Sequence, residues 1–206
     1  VFSEVVSGFT IADLTSDDGT FKDFAQGIDA ANYTVTFEAT DGIEKADGTI
    51  DIDVSKVGTN FIDGEGNEGE LSKSATVAID TKNPTVTTLN IADDSLDDGD
   101  NESKVTIQFS EEVSGFTVGD LVTTGGTLAA DFTSSNVAAG TYTILFTADD
   151  DTDSTGSVEL DGTKYTDLAG NAGTTGSDTV LIDTENPTVT VTFAESSLDD
   201  ADNESN

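Results

Sequence analysis

Apolar and polar side chains alternate along much of this chain, and a period of two is typical of strands with one buried face. One run places an apolar residue at every second position: Tyr142, Ile144, Phe146 and Ala148. An earlier run repeats the pattern: Tyr33, Val35, Phe37 and Ala39. The intervening positions are rich in threonine, which suits the exposed face of a pleated sheet. No stretch of useful length shows the period of 3.6 that an amphipathic helix requires.

Turn signals such as Asp-Gly and Gly-Gly separate these runs and set the ends of the predicted strands. The most complete stretch predicts strands near 85–91, 104–110, 116–122, 127–132, 141–148, 156–160 and 177–182. About seven short antiparallel strands in a stretch of this length predict an all-β fold, an immunoglobulin-like β-sandwich. Cysteine and tryptophan are absent, so the resemblance to antibody domains is one of architecture only.

The chain repeats itself at the scale of a whole small domain. Both prolines of the sequence lie in one phrase, Asp80–Thr87, which returns 103 residues later as Asp183–Thr190. The segment from Phe2 to Thr10 returns from Phe109 to Thr117. A period this long exceeds that of solenoid repeats and predicts domains arranged in tandem.

Each Asn-Pro pair marks a predicted domain boundary, because proline fits the first residue of an edge strand and cannot donate to a central ladder. Residues 1–82 are predicted to form an Ig-like repeat that lacks its first strand, and residues 83–185 a complete repeat. Residues 186–206 supply the first strand and the acidic loop of a further repeat. We therefore expect a fragment of a longer array, in which each repeat has adjacent repeats of the same chain as partners.

The charge of the chain is strongly negative, with 7 basic and 42 acidic residues and a net charge of −35. Repulsion excludes nucleic acid and anionic membrane surfaces as partners, and no apolar run is long enough to insert into a membrane. So many carboxylates either bind divalent cations or form a solvated surface of the kind that salt adaptation favours. The absence of cysteine excludes disulfides and thiolate metal sites.

An enzyme is not expected. Histidine and cysteine are both missing, which removes the common pairs of nucleophile and base. The carboxylate pairs lie in turns and recur in every repeat, whereas a catalytic site has no reason to be copied in each domain. Tryptophan is absent too, so the aromatic platforms of many sugar-binding modules are not available.

Three acidic clusters recur near the predicted domain ends and are candidate metal sites. They are a glycine-rich loop, the linker, and a loop after the first strand. The candidate ligands are Asp63, Asn67, Asp80, Asp97, Asp98, Asp100, Asp167, Asn171, Asp183, Asp199, Asp200 and Asp202. Oxygen ligands without histidine or cysteine select Ca²⁺, and Mg²⁺ less well. The sequences do not match an EF-hand loop, and each aspartate alone is equally typical of a solvated turn.

Other carboxylates are weaker candidates for a second ion. They follow the tyrosine-containing strand of each repeat: Asp41, Glu44, Asp47, Asp149, Asp150, Asp151 and Asp153. Asp13 and Asp120, in the sequence Phe-Thr-x-x-Asp-Leu, are predicted to be strand or turn residues.

Three ordered motifs give the chain a family resemblance over nearly its whole length. They are Asp-Thr-x-Asn-Pro-Thr-Val, then Phe-Ser-Glu-x-Val-Ser-Gly-Phe-Thr-x-x-Asp-Leu, then Tyr-Thr-Asp-Leu-Ala-Gly-Asn-Ala-Gly at 165–173. The set resembles the bacterial Ig-like repeats of very large RTX-type surface and biofilm adhesins, which are typically exported by type I secretion. The resemblance implies an extracellular extender at the bacterial cell surface, stiffened by calcium at the junctions between repeats.

The resemblance also implies how the junction ligands are grouped. One group takes Asp63, Asn67 and Asp80 with Asp97 or its neighbours. The other takes Asp167, Asn171 and Asp183 with Asp199 or its neighbours. The first glycine-rich loop departs from the pattern, because it reads Asp-Gly-Glu-Gly-Asn and is more acidic.

Two other functions stay open from the sequence. A recognition module that binds a glycan, ice or another cell directly is favoured by a flat, threonine-rich sheet face. A self-assembling fibre subunit is favoured by the incomplete first repeat and the spare strand Thr188–Phe193, since an open sheet edge accepts a strand from a neighbouring copy.

Overall fold

The computed structural model describes residues 1–52, 61–69 and 73–193. The first domain contains β1 Leu14–Thr15, β2 Gly19–Gln26, β3 Tyr33–Ala39, β4 Glu44–Ile52 and β5 Lys73–Asp80. The second domain begins with β6 Val86–Ile91, β7 Ser95–Asp97, β8 Glu102–Phe109, β9 Val113–Ser114, β10 Leu121–Thr124 and β11 Gly126–Leu128. It continues with β12 Ser134–Asn136, β13 Thr141–Ala148, β14 Asp153–Leu160, β15 Thr166–Asp167 and β16 Gly176–Asp183. Short 3₁₀ helices lie at Ile11–Asp13, Val118–Asp120, Val137–Ala139 and Gly162–Lys164.

The second domain is a sandwich of two sheets, as the alternation predicts. One sheet has the strand order β10-β14-β16-β7, and the other has the order β11-β13-β8-β6, with β12 also paired to β13. The inward positions of β13 and β8 are buried, among them Ile144, Phe146 and Ile107, each with 0% exposure. They face Val158 and Val180 of the other sheet within one core. The predicted all-β sandwich is confirmed.

Two features of this domain differ from the predicted strands. The predicted strand 116–122 is interrupted by the 3₁₀ helix Val118–Asp120, because Asp120 Oδ2 accepts hydrogen bonds from the backbone N–H of Thr117 at 2.7 Å and from its hydroxyl at 2.8 Å. Such local side-chain bonds compete with the sheet ladder. Asp13 accepts the same bonds from Thr10, so both aspartates, predicted to be strand or turn residues, lie at the ends of 3₁₀ turns.

The second difference is the short strand β7, which the sequence prediction missed. It pairs in parallel with β16, so the sandwich is not purely antiparallel. The predicted strand 127–132 is also too long, since β11 ends at Leu128 and the next strand, β12, begins only at Ser134. Both short strands lie at sheet margins, where few residues alternate and the period of two gives little signal.

The described strands of the first domain correspond to part of the same sandwich. Its sheets are β1-β4-β5 and β2-β3, and the described residues contain no counterpart of β6, β7 or β8. Among its described residues, one small buried cluster consists of Val6, Phe9 and Phe61. Val77 of β5 is 42% exposed, whereas its counterpart Val180 in β16 is 2% exposed. Among the described residues, this inward side chain of the first domain is therefore less covered than its counterpart in the second.

We expect a matched pair of core truncations to separate the two domains. Phe146 is fully buried, so Phe146→Ala should lower the free energy of unfolding of the second domain by about 3–5 kcal/mol. Its counterpart Phe37 is only half-buried, so Phe37→Ala should cost the first domain clearly less. Guanidinium unfolding followed by circular dichroism measures both. Equal losses would show that the first domain has a complete core in solution.

Candidate cation site at the domain junction

The linker between the two domains is short and is fastened at both ends. Thr81, directly after β5, donates its hydroxyl to the carbonyl of Thr40 at 2.7 Å and its backbone N–H to Ile43 at 2.8 Å. Thr85, directly before β6, exchanges hydrogen bonds with Ser110 of the second domain. Only residues 82–84 lie between these anchors, and Pro84 among them is buried. The linker therefore leaves the two domains little freedom.

The loop after β15 holds a carboxylate in a fixed orientation next to this linker. Asp167 is 2% exposed. Its Oδ1 accepts from the backbone N–H groups of Gly170 at 2.7 Å and Asn171 at 2.9 Å, and its Oδ2 accepts from the Asn171 side chain at 2.8 Å. Gly170 has a φ of 96°, a conformation that glycine adopts without strain. The loop is thus built around the Asp167 carboxylate.

Asp80 brings the end of the first domain into this loop. Asn171 Nδ2 donates to the backbone carbonyl of Asp80 at 3.1 Å and lies 3.4 Å from its carboxylate Oδ1. One carboxylate oxygen from each of Asp80, Glu111 and Asp167 lies within 4.8 Å of the others. Glu111 comes from the turn that follows β8. The junction therefore gathers three carboxylates from three separate segments and both domains.

The pKa shifts of two carboxyls at the site reflect how close the acidic groups lie to one another. Burial raises the pKa of the Glu111 carboxyl above its ordinary value, and the charges of Asp167, Asp80 and Glu44 raise it further, while Lys82 acts against them. Burial also acts to raise the pKa of Asp167. Hydrogen bonds from Asn171, Gly170 and Ala169 outweigh that effect and hold the pKa of Asp167 below its ordinary value. Asp167 therefore remains ionised beside a second carboxylate whose ionisation is disfavoured.

Comparison with known proteins identifies the family of the domains on both sides of this junction. A model of the bacterial Ig-like domain matches the chain twice, over residues 1–79 and 80–182. The chain belongs to the bacterial Ig-like domain family. The two matched ranges meet at Asp80, so the residue that joins the Ig-like domains is also the one that enters the carboxylate cluster.

Other comparisons give little more. No curated protein matches the chain. One solved structure, SGBP-B of the Bacteroides ovatus mixed-linkage glucan utilization locus in complex with a mixed-linkage heptasaccharide, is 16% identical with a TM-score of 0.22. The match covers 84% of this chain and 39% of that one, so this chain spans well under half the length of that protein. Over the described ranges, no helix has the length and apolarity needed to cross a membrane.

The first Ig-like domain carries a counterpart of the loop. Asp63 Oδ1 accepts from the N–H groups of Glu65 at 2.9 Å and Asn67 at 2.8 Å, and its Oδ2 accepts from the Asn67 side chain at 2.6 Å. These bonds, that from the Asn67 side chain first, hold the pKa of Asp63 below its ordinary value. Glu4, Asp63 and Glu65 form a second carboxylate group. The position equivalent to Asp80 falls before Val1.

The structure groups the sequence-predicted residues differently from the expected sets. Asp80 meets Asp167 and Asn171, while Asp63 and Asn67 lie with Glu4 instead. The reason is the length of the final strand, since β16 has eight residues and each residue rises about 3.3 Å. The loop before that strand and the aspartate at its end therefore lie at opposite ends of one domain.

The remaining candidates lie away from the junction cluster. Asp97 Oδ1 accepts from the N–H groups of Gly99 at 2.8 Å and Asp100 at 3.0 Å, and Asp97 lies opposite Asp183 in the β7–β16 pairing. Asp98 is an exposed residue of the same turn. Three further candidates lie outside the described residues: Asp199, Asp200 and Asp202. The loop Asp97–Asp100 is therefore organised by its own aspartate as a turn.

Glu111 is the member of the cluster that the sequence did not identify as a ligand. The signal was present, because Phe-Ser-Glu recurs at Glu4 and Glu111 and both residues enter a carboxylate group. In the sequence, this motif identifies the repeat but does not by itself indicate a ligand. Glu44, a candidate for a second ion, lies near this site instead, where it forms a surface ion pair with Lys82 at 3.6 Å.

We expect Glu111→Gln to raise the melting temperature of the second domain at pH 7 in chelator. Because the folded-state pKa of Glu111 is raised, its ionised form costs stability above that pKa. As pH falls through the raised pKa, the wild type takes up a proton and the advantage of the variant disappears. The lowered pKa of Asp167 affects stability in the opposite direction. Ionised Asp167 stabilises the folded domain, and this stabilisation is lost as pH falls through that lower pKa.

Calorimetry across this pH range measures the difference between variant and wild type. Glu112→Gln is the matched control, because it removes the same charge from the neighbouring position. A Glu111→Gln variant that melts below the wild type at pH 7 in chelator would show that the cluster is not repulsive.

Proposed function

We propose that this chain is a set of extender repeats from a bacterial cell-surface adhesin or fibre, acting outside the cell and without catalysis, and that Ca²⁺ stiffens its junctions. The observation that carries this proposal is the placement of Asp80 from one domain against Glu111 and Asp167 of the next. A cation held there would join the domains directly. The rod would then project a binding tip that lies elsewhere in a longer protein.

The chemistry of the junction favours calcium among biological cations. The cluster offers only oxygen ligands, three carboxylates within 4.8 Å, and hard oxygen ligands select Ca²⁺ or Mg²⁺. Calcium takes six to eight oxygens in flexible arrangements, whereas magnesium demands a near-octahedral set and retains several waters. Carboxylates that bind through one or both oxygens, completed by water and by the Asn171 amide oxygen after rotation of its side chain, suit calcium better.

The mechanical effect follows from the anchored linker. Thr81 is bonded to the first domain and Thr85 to the second, so bending is confined to residues 82–84. A cation bound by Asp80, Glu111 and Asp167 would restrain the segment on the first-domain side of that hinge. It would also remove the repulsion among these three carboxylates, which otherwise opposes close approach of the domains.

A second candidate, direct recognition of a surface or a glycan, has one observation in its favour. The outward positions of β13 and its neighbours align hydroxyl groups, since Thr143 lies opposite both Thr106 and Ser134. Several of these hydroxyls already bond to one another, as Ser134 and Thr143 do at 2.6 Å. The extender function is therefore the better supported of the two, and binding of immobilised glycans by the isolated chain would favour the second.

Calcium should stabilise the chain in a manner that depends on Asp80. Binding confined to the folded state adds about 2.7 kcal/mol at a ligand concentration 100 times the dissociation constant, which for extracellular modules is about 0.1–1 mM. Isothermal titration and calorimetric melting should show this effect for the wild type, and Asp80→Asn should weaken it. The matched control is Asp183→Asn, which changes the same phrase where no following domain is described. An unchanged melting temperature between 0 and 10 mM calcium contradicts the proposal.

Removal of Asp80 should loosen the junction and leave both domains folded. Asp80→Ala deletes the only carboxylate that the first domain contributes to the cluster, while the backbone bonds of Thr81 and Thr85 remain. Small-angle scattering in calcium should show greater bending than for the wild type, and Asp183→Ala should not change the bending at this junction. If the first domain instead loses stability while flexibility stays unchanged, Asp80 is a cap of the domain and not a junction ligand.

A further inference from the structure

The first and last segments of the second domain run side by side in the same direction. β7 pairs in parallel with β16, and Leu96 lies opposite Ile182 in this pairing. Nearer the start of both segments, the backbone N–H of Ile91 in β6 donates to Asp178 Oδ2 in β16 at 2.8 Å. Because β6, β7 and β16 all run the same way, the chain enters this domain at one end and leaves it at the other.

The chain is tied to neighbouring loops at both of these ends. At the entry, Thr85 exchanges hydrogen bonds with Ser110. At the exit, the Thr184 hydroxyl donates to the carbonyl of Asp149 at 2.8 Å, and its backbone N–H donates to the carbonyl of Thr152 at 2.8 Å. A pull on the two linkers therefore acts along the axes of β6 and β16 and does not lift either strand sideways from its sheet.

Tension applied through the two linkers shears these segments against each other. The pull draws β6 and β7 towards the entry and β16 towards the exit, so the bonds of each strand pair are loaded together. Departure of the first segment breaks β6–β8 and β7–β16, whereas departure of the last segment breaks β14–β16 and β7–β16. Among the described strands, β7–β16 is therefore the one pairing that both routes must break.

A buried side chain strengthens this short pairing. Leu96 and Ile182 are each 2% exposed and lie in the same core cluster, so β7 cannot slide along β16 without withdrawing a buried leucine. A turn directly after Leu96 holds the end of β7, since Asp97 Oδ1 accepts from the N–H groups of Gly99 at 2.8 Å and Asp100 at 3.0 Å. The pairing thus resists shear through its backbone bonds and through its packing.

We propose that the second domain bears tension along the chain and that the β7–β16 pair is its load-bearing clamp, which must rupture before the sandwich unfolds under force. This inference deepens the proposed extender function, because a rod that carries a binding tip is loaded along its length. The clamp lies within one domain and involves neither calcium nor the carboxylates of the junction. A failed calcium titration therefore leaves the clamp untouched, and a failed test of the clamp leaves the calcium proposal untouched.

The direction of the pull tests the clamp, and the absence of native cysteine allows the direction to be chosen. In the full chain, Asn83→Cys with Glu185→Cys attaches handles at the two linkers, at exposed positions. Asp150→Cys with Glu185→Cys places both handles at the exit end, where β14 and β16 unzip from the Asp153–Asp183 pair.

Single-molecule force spectroscopy in chelator measures the rupture force in each direction. The linker pull should need about threefold more force, since three residue pairs of the clamp share the load that an unzipped pair carries bond by bond. Equal rupture forces in the two directions overturn the proposal.

A matched pair of leucine truncations tests the assignment to β7. Leu96 in β7 and Leu160 in β14 are both 2% exposed, so Leu96→Ala and Leu160→Ala should lower equilibrium stability to a comparable extent. Under the linker pull, Leu96→Ala should lower the rupture force about twofold, because forced unfolding follows the barrier to unfolding. Leu160→Ala should lower it clearly less.

Guanidinium unfolding of both variants provides the equilibrium stability against which the forces are compared. Equal losses of rupture force at equal losses of equilibrium stability would show that the whole core carries the load, and would overturn the assignment of the clamp to β7–β16.

Discussion

Repulsion among the carboxylates of Asp80, Glu111 and Asp167 opposes the close approach of the two domains. Two like charges about 4 Å apart repel by about 1 kcal/mol in bulk water and by about 4 kcal/mol near a protein surface. The three oxygens lie within 4.8 Å, well inside the screening length of about 8 Å at physiological salt, so dissolved salt does not remove the repulsion. Burial raises the pKa of the Glu111 carboxyl, and the charges of Asp167 and Asp80 raise it further. Among the described residues, Lys82 is the cation that acts against this rise in the pKa of Glu111.

The strand that ends at Asp80, β5, also contributes side chains to the core of its domain. The geometry of the junction therefore depends on the packing of the sandwich. In β16, the inward side chains of Val180 and Ile182 are buried and the strand ends at Asp183. In β5, the corresponding strand ends at Asp80, and of its inward side chains Ile79 is 6% exposed whereas Val77 is 42% exposed. The position of the terminal aspartate is therefore set by a strand that is firmly packed in the second domain and less firmly packed in the first.

Much of the fold was predictable because alternation reports burial directly. The predicted strands at 141–148 and 177–182 agree with β13 and β16 within a residue, since every second side chain there enters the core. The stretch 116–122 was predicted less well, because Thr117 and Asp120 bond to each other locally and override the extended pattern. The parallel pairing of β7 depends on a partner far away in sequence, and no local period encodes it.

The chemistry of the candidate site could be predicted from the sequence, whereas the set of residues that form the site was predicted less well. Repetition selected Asp80, Asp167 and Asn171, which the structure brings together. It did not reveal that the loop and the terminal aspartate of one domain lie at opposite ends, and so the expected sets combined Asp63 with Asp80. Glu111 contributes because its turn, between β8 and β9, lies beside the linker. That proximity is a property of the assembled junction rather than of any one repeat.

The linker sequence Asp-Thr-x-Asn-Pro anchors the chain to the domain that it leaves and also carries a carboxylate of the junction cluster. In Asp-Thr-x-Asn-Pro, the threonine locks the chain to the domain that it leaves: Thr81 bonds to Thr40, and Thr184 bonds to the carbonyl of Asp149 at 2.8 Å. The aspartate one residue earlier belongs to the last strand, and the proline that follows ends further ladder pairing. Since Thr184 is 2% exposed, the direction in which the chain leaves the second domain is fixed by that domain alone. Hydrogen bonds within each domain thus fix the direction of the chain at the linker, and repulsion among the carboxylates opposes close approach of the next domain.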